Sequence, residues 1–179
     1  MRSLKSILSV ILMLSLSMSL KSQNSYHQID AGDVAELNKL AAAINVSGLE
    51  GWPVSAEIQP NYYPTVYGVG FLPTDTTTRT VDDKLITVYH YQVKSIRLTF
   101  KGFSGTLPAL SISELEELDL KFNNITGGIP AFDFPKCKTL NFMGNQLSGN
   151  IPAMDYPELI TLNLAQNQFS GTIPNFNLP

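Results

Sequence analysis

Apolar residues in the second half of the chain recur in fixed columns. In blocks of 22 from residue 92 (92–113, 114–135, 136–157 and 158–179), Val93, Leu115, Cys137 and Leu159 align. So do Ile96, Leu118, Leu140 and Leu162, and, two positions on, Leu98, Leu120, Phe142 and Leu164. A spacing of two is that of a strand with one buried face, which leaves Arg97, Asp119, Asn141 and Asn163 on the other. Four such strands in register predict a parallel sheet. A period whose units can bury their apolar faces only against one another predicts a solenoid.

The rest of each block continues the pattern. Asn123, Asn145 and Asn167 form a column whose amides carry both donors and an acceptor, suited to a ladder that bonds the backbone of successive turns. The first block has Lys101 there, so the ladder is expected to begin at Asn123. Phe103, Ile125, Leu147 and Phe169 return to the core. Ser104-Gly105, Thr126-Gly127, Ser148-Gly149 and Ser170-Gly171 are expected to turn, since glycine reaches positive φ. Leu107, Ile129, Ile151 and Ile173 each precede a proline, which holds them extended and predicts a second short strand or polyproline-like segment. Pro135, Pro157 and Pro179 argue against a helical back face.

Before the array, Asp30 or Asp33 is placed to cap a helix running to about Asn45, with Val34, Leu37, Leu40, Ala41 and Ile44 as its apolar stripe. Gly48 and Gly51 end it and Trp52 follows. Thr65 to Phe71 reads as a short strand and Ile86 to Gln92 as another. The polar, Thr- and Asp-rich stretch Leu72 to Leu85 reads as an exposed hairpin loop between them.

At the start of the chain, Arg2 and Lys5 precede an apolar run from Ile7 to Leu20 that is too short to span a bilayer comfortably, with small residues near Ser19–Ser22. This reads as a secretory signal peptide cleaved before Gln23. No later segment has 18 consecutive apolar residues, so no membrane span is expected in the mature chain. Charged residues are 15% of the sequence, against about 25% in ordinary domains, and their place is taken by neutral turn residues. The net charge of −3 comes without any Lys/Arg run, so nucleic-acid binding lacks its electrostatic footprint. The single cysteine excludes an internal disulfide, which leaves stability to the solenoid core.

Candidate chemistry is sparse. Cys137 lies in a core column and reads as a buried thiol. His27 and His90, the only histidines, have no Ser or Cys motif beside them. Glu114, Glu116, Glu117 and Asp119 cluster, but alternation along a strand sends neighbours to different faces, so they read as solvated surface. No catalytic, metal or cofactor-binding residue is expected, and no cofactor. The expected partner-binding surface is the outer face of the sheet, with Arg97, Thr99, Glu117, Asp119, Lys121, Asn141, Met143 and Asn163 as contact residues. Phe100 and Phe122 flank it, as partner anchors or as packing.

The phrase LxxLxLxxNxLSGxIP is the signature of leucine-rich repeats, and Leu159 to Pro174 (LITLNLAQNQFSGTIP) resembles it, with Phe169 for one leucine. The SGxIP half resembles the plant-specific class found in receptor-kinase ectodomains. Those repeats usually run 24 residues with paired cysteines in the N-terminal cap, whereas these run 22 with none. AFDFP, AMDYP and NFNLP look more like secreted bacterial relatives. The resemblance implies a solenoid with a concave parallel sheet, an extended helix-poor convex face and a helix-containing N-terminal cap. The expected organisation is a signal peptide at 1–22, a cap with helix and β-hairpin at 23–91 and four repeats at 92–179. The expected function is a secreted or cell-surface, non-catalytic module that binds a protein or glycan. Alternatives are the sensor or targeting region of a longer receptor kinase or hydrolase, or a structural adhesin. With Pro179 closing a block in mid-array, the array is expected to be truncated, or its bare edge to self-associate.

Overall fold

The computed structural model describes residues 25–46, 49, 51, 52, 54, 57, 58, 66–81 and 84–176. The signal-peptide segment, Gly48, Thr65 and Pro179 lie outside the described residues. In order, the elements are β1 (Ser25–Ile29), α1 (Ala31–Ala43), β2 (Glu57–Ile58), β3 (Val69–Val81), β4 (Lys84–Arg97), β5 (Ser104–Thr106), β6 (Glu117–Asp119), β7 (Asn124–Gly127), β8 (Thr139–Asn141), β9 (Gln146–Asn150), β10 (Thr161–Asn163) and β11 (Gln168–Ser170). No described helix is long and apolar enough to cross a membrane.

The period of 22 gives two parallel sheets. In the first, β4, β6, β8 and β10 stack with Ile96, Leu118, Leu140 and Leu162 in one row of the register. The second runs β5-β7-β9-β11. Between them lie the apolar columns: Val93, Leu115, Cys137, Ile96, Leu118, Leu140, Leu98, Leu120 and Phe142 are fully buried. In the last turn the core opens. Leu162, Leu164 and Phe169 are half-buried and Ile173 is 76% exposed.

The second sheet lies one step earlier than the prolines suggest. The first three Ser/Thr-Gly phrases are within its strands, not turns between them, and the fourth straddles the end of β11 at Ser170. Gly105, Gly127, Gly149 and Gly171 still need left-handed φ, from +79° to +130°; the first three kink strands that stay paired, and Gly171 lies just past the end of β11. At Gly105 the missing side chain also admits the cap, since a Cβ there would overlap the carbonyl oxygen of Ala43.

The cap is built from α1 and a long hairpin. Asp30 Oδ1 accepts from Gly32 and Asp33 N–H at 2.8 and 3.1 Å, so Asp30 is the N-cap. The stripe Leu37, Leu40, Ala41 and Ile44 is buried over the first turn. After Ile44 the chain leaves the helix through a left-handed Asn45, whose amide donates to Ser104 O at 2.7 Å. Trp52 is buried, with Nε1 donating to Tyr67 O at 3.0 Å.

The hairpin corrects the reading of Leu72 to Leu85 as a loop. Residues through Val81 continue β3, antiparallel to β4 along almost its whole length, with register shifts at Gly70/Phe71 and Pro73/Thr76. Thr74, Thr76, Thr77, Thr78 and Thr80 are exposed, and their β-branched side chains favour the strand without any apolar alternation to announce it. A further strand, β1, pairs in parallel with Thr87–Tyr91 of β4.

Candidate functional site: the concave face

The outward residues of β4, β6, β8 and β10 share one surface, and its charges are largely spent on one another. Arg97 grips Glu117 in the next turn, Nε–Oε1 2.8 Å and Nη2–Oε2 2.5 Å, which raises the guanidinium pKa further. Along the margin, Glu116 lies between Lys138 at 3.1 Å and Lys94 at 3.2 Å, and their hydrogen bonds hold it below the usual carboxylate range. Glu114 pairs with Lys136 at 2.7 Å. Glu114, Glu116 and Glu117 of the acidic cluster thus form an interturn charge ladder, and among the described residues no group of three or more His, Cys, Asp or Glu is placed to hold a metal.

Asp119 departs from its expected place. Spacing puts it on the solvent face, yet it is only 7% exposed. Its Oδ1 turns back to accept from the Lys121 N–H at 3.1 Å, and Oδ2 meets Lys121 Nζ at 3.0 Å. Asn141 and Asn163 do the same with the N–H groups of Met143 and Ala165, at 3.2 and 3.1 Å. This column forms Asx turns that end each strand. Thr99, Glu117, Lys121, Asn141, Met143 and Asn163 are half-buried and Arg97 is exposed. Met143 Sδ lies 3.6 Å from Asn163 Nδ2, joining the third and fourth turns.

Behind the face runs the asparagine column. Asn123 Oδ1 accepts from Lys101 and Phe103 N–H, both at 3.1 Å, while Nδ2 donates to Leu98 O and Leu120 O at 2.7 and 2.9 Å. Asn145 accepts from Ile125 N–H at 3.1 Å and donates to Leu120 O and Phe142 O, both at 3.0 Å. Asn167 repeats this with Leu147, Phe142 and Leu164.

Just before each of these asparagines, and before Lys101 in the first turn, the chain takes a left-handed conformation, at Phe100, Phe122, Gly144 and Gln166, with φ of +56°, +56°, +69° and +56°. Phe100 and Phe122 stack, centroids 4.4 Å apart and planes 25° from parallel. Phe122 also lies across Gly144, where a Cβ would sit 2.5 Å from its Cδ1. Lys101 holds its Nζ 4.5 Å above the Tyr67 ring. Sequence reasoning passed over Tyr67 and Lys101: the first belongs to the cap, outside the repeat, and the second was read only as a missing asparagine.

The remaining reactive groups are engaged. Cys137 is buried, its thiol pushed up to about 11 by desolvation, with Sγ 3.5 Å from Thr139 O. His27 is buried in β1, stacked on Tyr89 and Tyr91 with Nδ1 2.9 Å from the Tyr91 hydroxyl, and burial lowers its pKa. His90 Nε2 lies 2.8 Å from Thr77 Oγ1.

Residues 114–133 and 158–177 match the family model described as Leucine Rich Repeat. Comparison with curated proteins finds no match. Among solved structures, the leucine-rich repeat ectodomain of the receptor kinase SOBIR1 from Arabidopsis thaliana is similar, with a TM-score of 0.54 at 22% identity over 84% of this chain and 77% of that one. A BIR3–SERK2 complex from Arabidopsis thaliana gives a TM-score of 0.45 at 20% identity, over 81% of this chain and 85% of that one. At 22% identity the likeness to the SOBIR1 ectodomain concerns the fold alone. With the repeat columns and the two parallel sheets, it identifies the fold as a leucine-rich repeat solenoid with a helix-containing N-terminal cap.

Proposed function

We propose that the concave face recognises a protein or glycan partner, and that the module acts outside the cell, secreted or at the cell surface, without catalysis. In this reading the SGxIP phrases mark plant-type repeats in a short 22-residue form. One observation carries it: with Asp119 turned inward, Arg97, Thr99, Glu117, Lys121, Asn141, Met143 and Asn163 stay at least partly accessible while their backbone is locked from behind. The Asx turns end each strand and the asparagine column bonds turn to turn, and among the described residues no buried side-chain nitrogen or oxygen lacks a partner. A surface held this way loses little freedom on binding, which favours affinity from a modest area. Meanwhile Cys137, His27 and His90 are occupied in packing or hydrogen bonds, which supports binding over chemistry.

Selection from a displayed random-peptide library and from a glycan array tests this. Ligands recovered on the native chain are expected to lose affinity about tenfold or more for a Thr139→Arg/Thr161→Arg variant, which crowds the concave face without touching the Asx or asparagine columns. Ligands that bind this variant unchanged would place recognition elsewhere.

A further inference from the structure

We propose that the step formed by Phe100, Phe122 and Tyr67, with Lys101 beside it, anchors the partner by taking a peptide segment in which an aromatic or branched apolar side chain neighbours a carboxylate. The inference rests on the concave-face reading above and names what that face prefers. It starts from a mismatch between residue type and position. The bend after each concave strand requires a left-handed residue, a conformation that suits glycine or asparagine and opposes a bulky side chain. The third turn meets that demand with Gly144. The first two turns carry phenylalanine instead, and Phe100 is 66% exposed. It fills no core, and its one described ring contact is the stack on Phe122. Gln166 shares the conformation in the fourth turn, but at Phe100 a bulky apolar ring is held exposed with only the Phe122 stack gained, which points to a role that shows only when something binds.

The neighbours state the chemistry. Tyr67, under the ammonium of Lys101 next along the chain from Phe100, is 43% exposed, and half-buried Phe122 extends the Phe100 stack toward Met143, whose carbonyl accepts from the Phe122 N–H. Among the cations whose side chains are described, Lys39, Lys94, Arg97, Lys121, Lys136 and Lys138 each pair with a carboxylate. Lys101 alone has none among the described residues and rests over the Tyr67 ring. A chain of net charge −3 offers no general attraction to acidic ligands, so this local cation defines the preference. An incoming carboxylate reaches Lys101 without breaking an ion pair, while its apolar neighbour covers Phe100. Aromatic anchors beside a positioned charge are the usual composition of a binding hot spot.

The test uses two small probes, N-acetyl-tryptophan with its free carboxylate and N-acetyl-tryptophanamide without one, titrated into the 15N-labelled chain. Saturable shifts are expected at the amides around Tyr67, Phe100 to Phe103 and Phe122, with the carboxylate probe bound about two- to fivefold tighter. Lys101→Gln should erase that preference. Phe100→Asn should weaken both probes about tenfold while leaving the melting temperature unchanged or higher, because asparagine suits the left-handed bend. Equal binding of both probes to the native chain, unchanged binding by the Asn variant, or shifts confined to the convex face would each overturn the proposal. If library ligands lose affinity for Thr139→Arg/Thr161→Arg but not for Phe100→Asn, the concave reading stands and this anchor falls. If both variants bind unchanged, the concave reading falls as well.

Discussion

At the bend after each concave strand, one asparagine serves two turns of the solenoid. Asn145 satisfies one N–H and two C=O groups that are sealed from water, and Asn167 makes the same three bonds half-exposed. Removing the Asn145 amide strips the buried Ile125 N–H of its acceptor, while Leu120 O and Phe142 O keep Asn123 and Asn167, and the penalty depends on whether water can replace the lost partner. Asn145→Ala is therefore expected to cost about 1–3 kcal/mol. Asn167→Ala should cost clearly less. Urea denaturation at constant slope would read the difference as a shift in midpoint, and equal losses at both positions would contradict the account. Asp119 shows the opposite side of reading residues by spacing. Period two assigns a side chain to a face but says nothing of where a short carboxylate then folds back. The clue was the column itself, Asp119, Asn141 and Asn163, since these residue types bond the backbone two positions on.

Among elements, the junction of β1, α1, β4 and β6 depends on one buried carboxylate. β1 pairs with β4 only as far as Tyr91, and β6 joins β4 only from Ser95. In the gap, Asp33 Oδ2 accepts from the Val93 N–H at 2.7 Å. Burial raises the Asp33 pKa, opposed by the Val93 hydrogen bond, with Asp30 and Glu114 adding to the rise. The folded chain thus keeps this proton to higher pH than the unfolded chain. The group's contribution to stability is greatest below the unfolded carboxylate value and shrinks as pH rises through the folded one. Asp33→Asn keeps an acceptor for Val93 and buries no charge, so it should match or exceed the native chain at neutral pH and flatten the decline between the unfolded carboxylate value and neutrality. Asp33→Ala should lose about 1–3 kcal/mol at low pH, where the native carboxyl contributes most, and less as pH rises. Thermal unfolding across that range distinguishes them, and an Asn variant as weak as the Ala variant would exclude this role. The same region marks the limit of what the sequence discloses. The repeat columns and the α1 stripe were legible because burial writes a period into the apolar residues. The threonine half of β3 buries almost nothing, and β1 is too short and polar to show one. Tyr67 meets Lys101 only through the fold of the cap, so part of the candidate surface had no linear signal.

For the whole molecule, stability is shared between adjacent turns, each covering the next, so a group that ionises inside one turn weakens its neighbours too. Two such groups lie in the later turns. Desolvation pushes buried Cys137 from 9.0 up to about 11 and buried Tyr156 from 10.0 up to about 12. Both are acids whose folded pKa exceeds the unfolded value. Their protons stay on in the folded chain where the unfolded chain has released them, so stability is fully retained below the unfolded values and falls as pH rises through 9.0 to about 11 and then 10.0 to about 12. The melting temperature is expected to be level approaching pH 9.0 and to drop beyond it. Cys137→Val removes the earlier titration while preserving an apolar side chain in the column, and should delay the drop by about one pH unit, leaving Tyr156 to set it. In the native chain the thiol should react with a disulfide reagent no faster than the solenoid opens, because the thiolate is both disfavoured and enclosed. An alkaline midpoint unmoved in the valine variant, or prompt stoichiometric labelling under native conditions, would mean that the third turn is not sealed by the fourth. Slow labelling that tracks global unfolding would instead show that the half-open last turn still closes the core behind it.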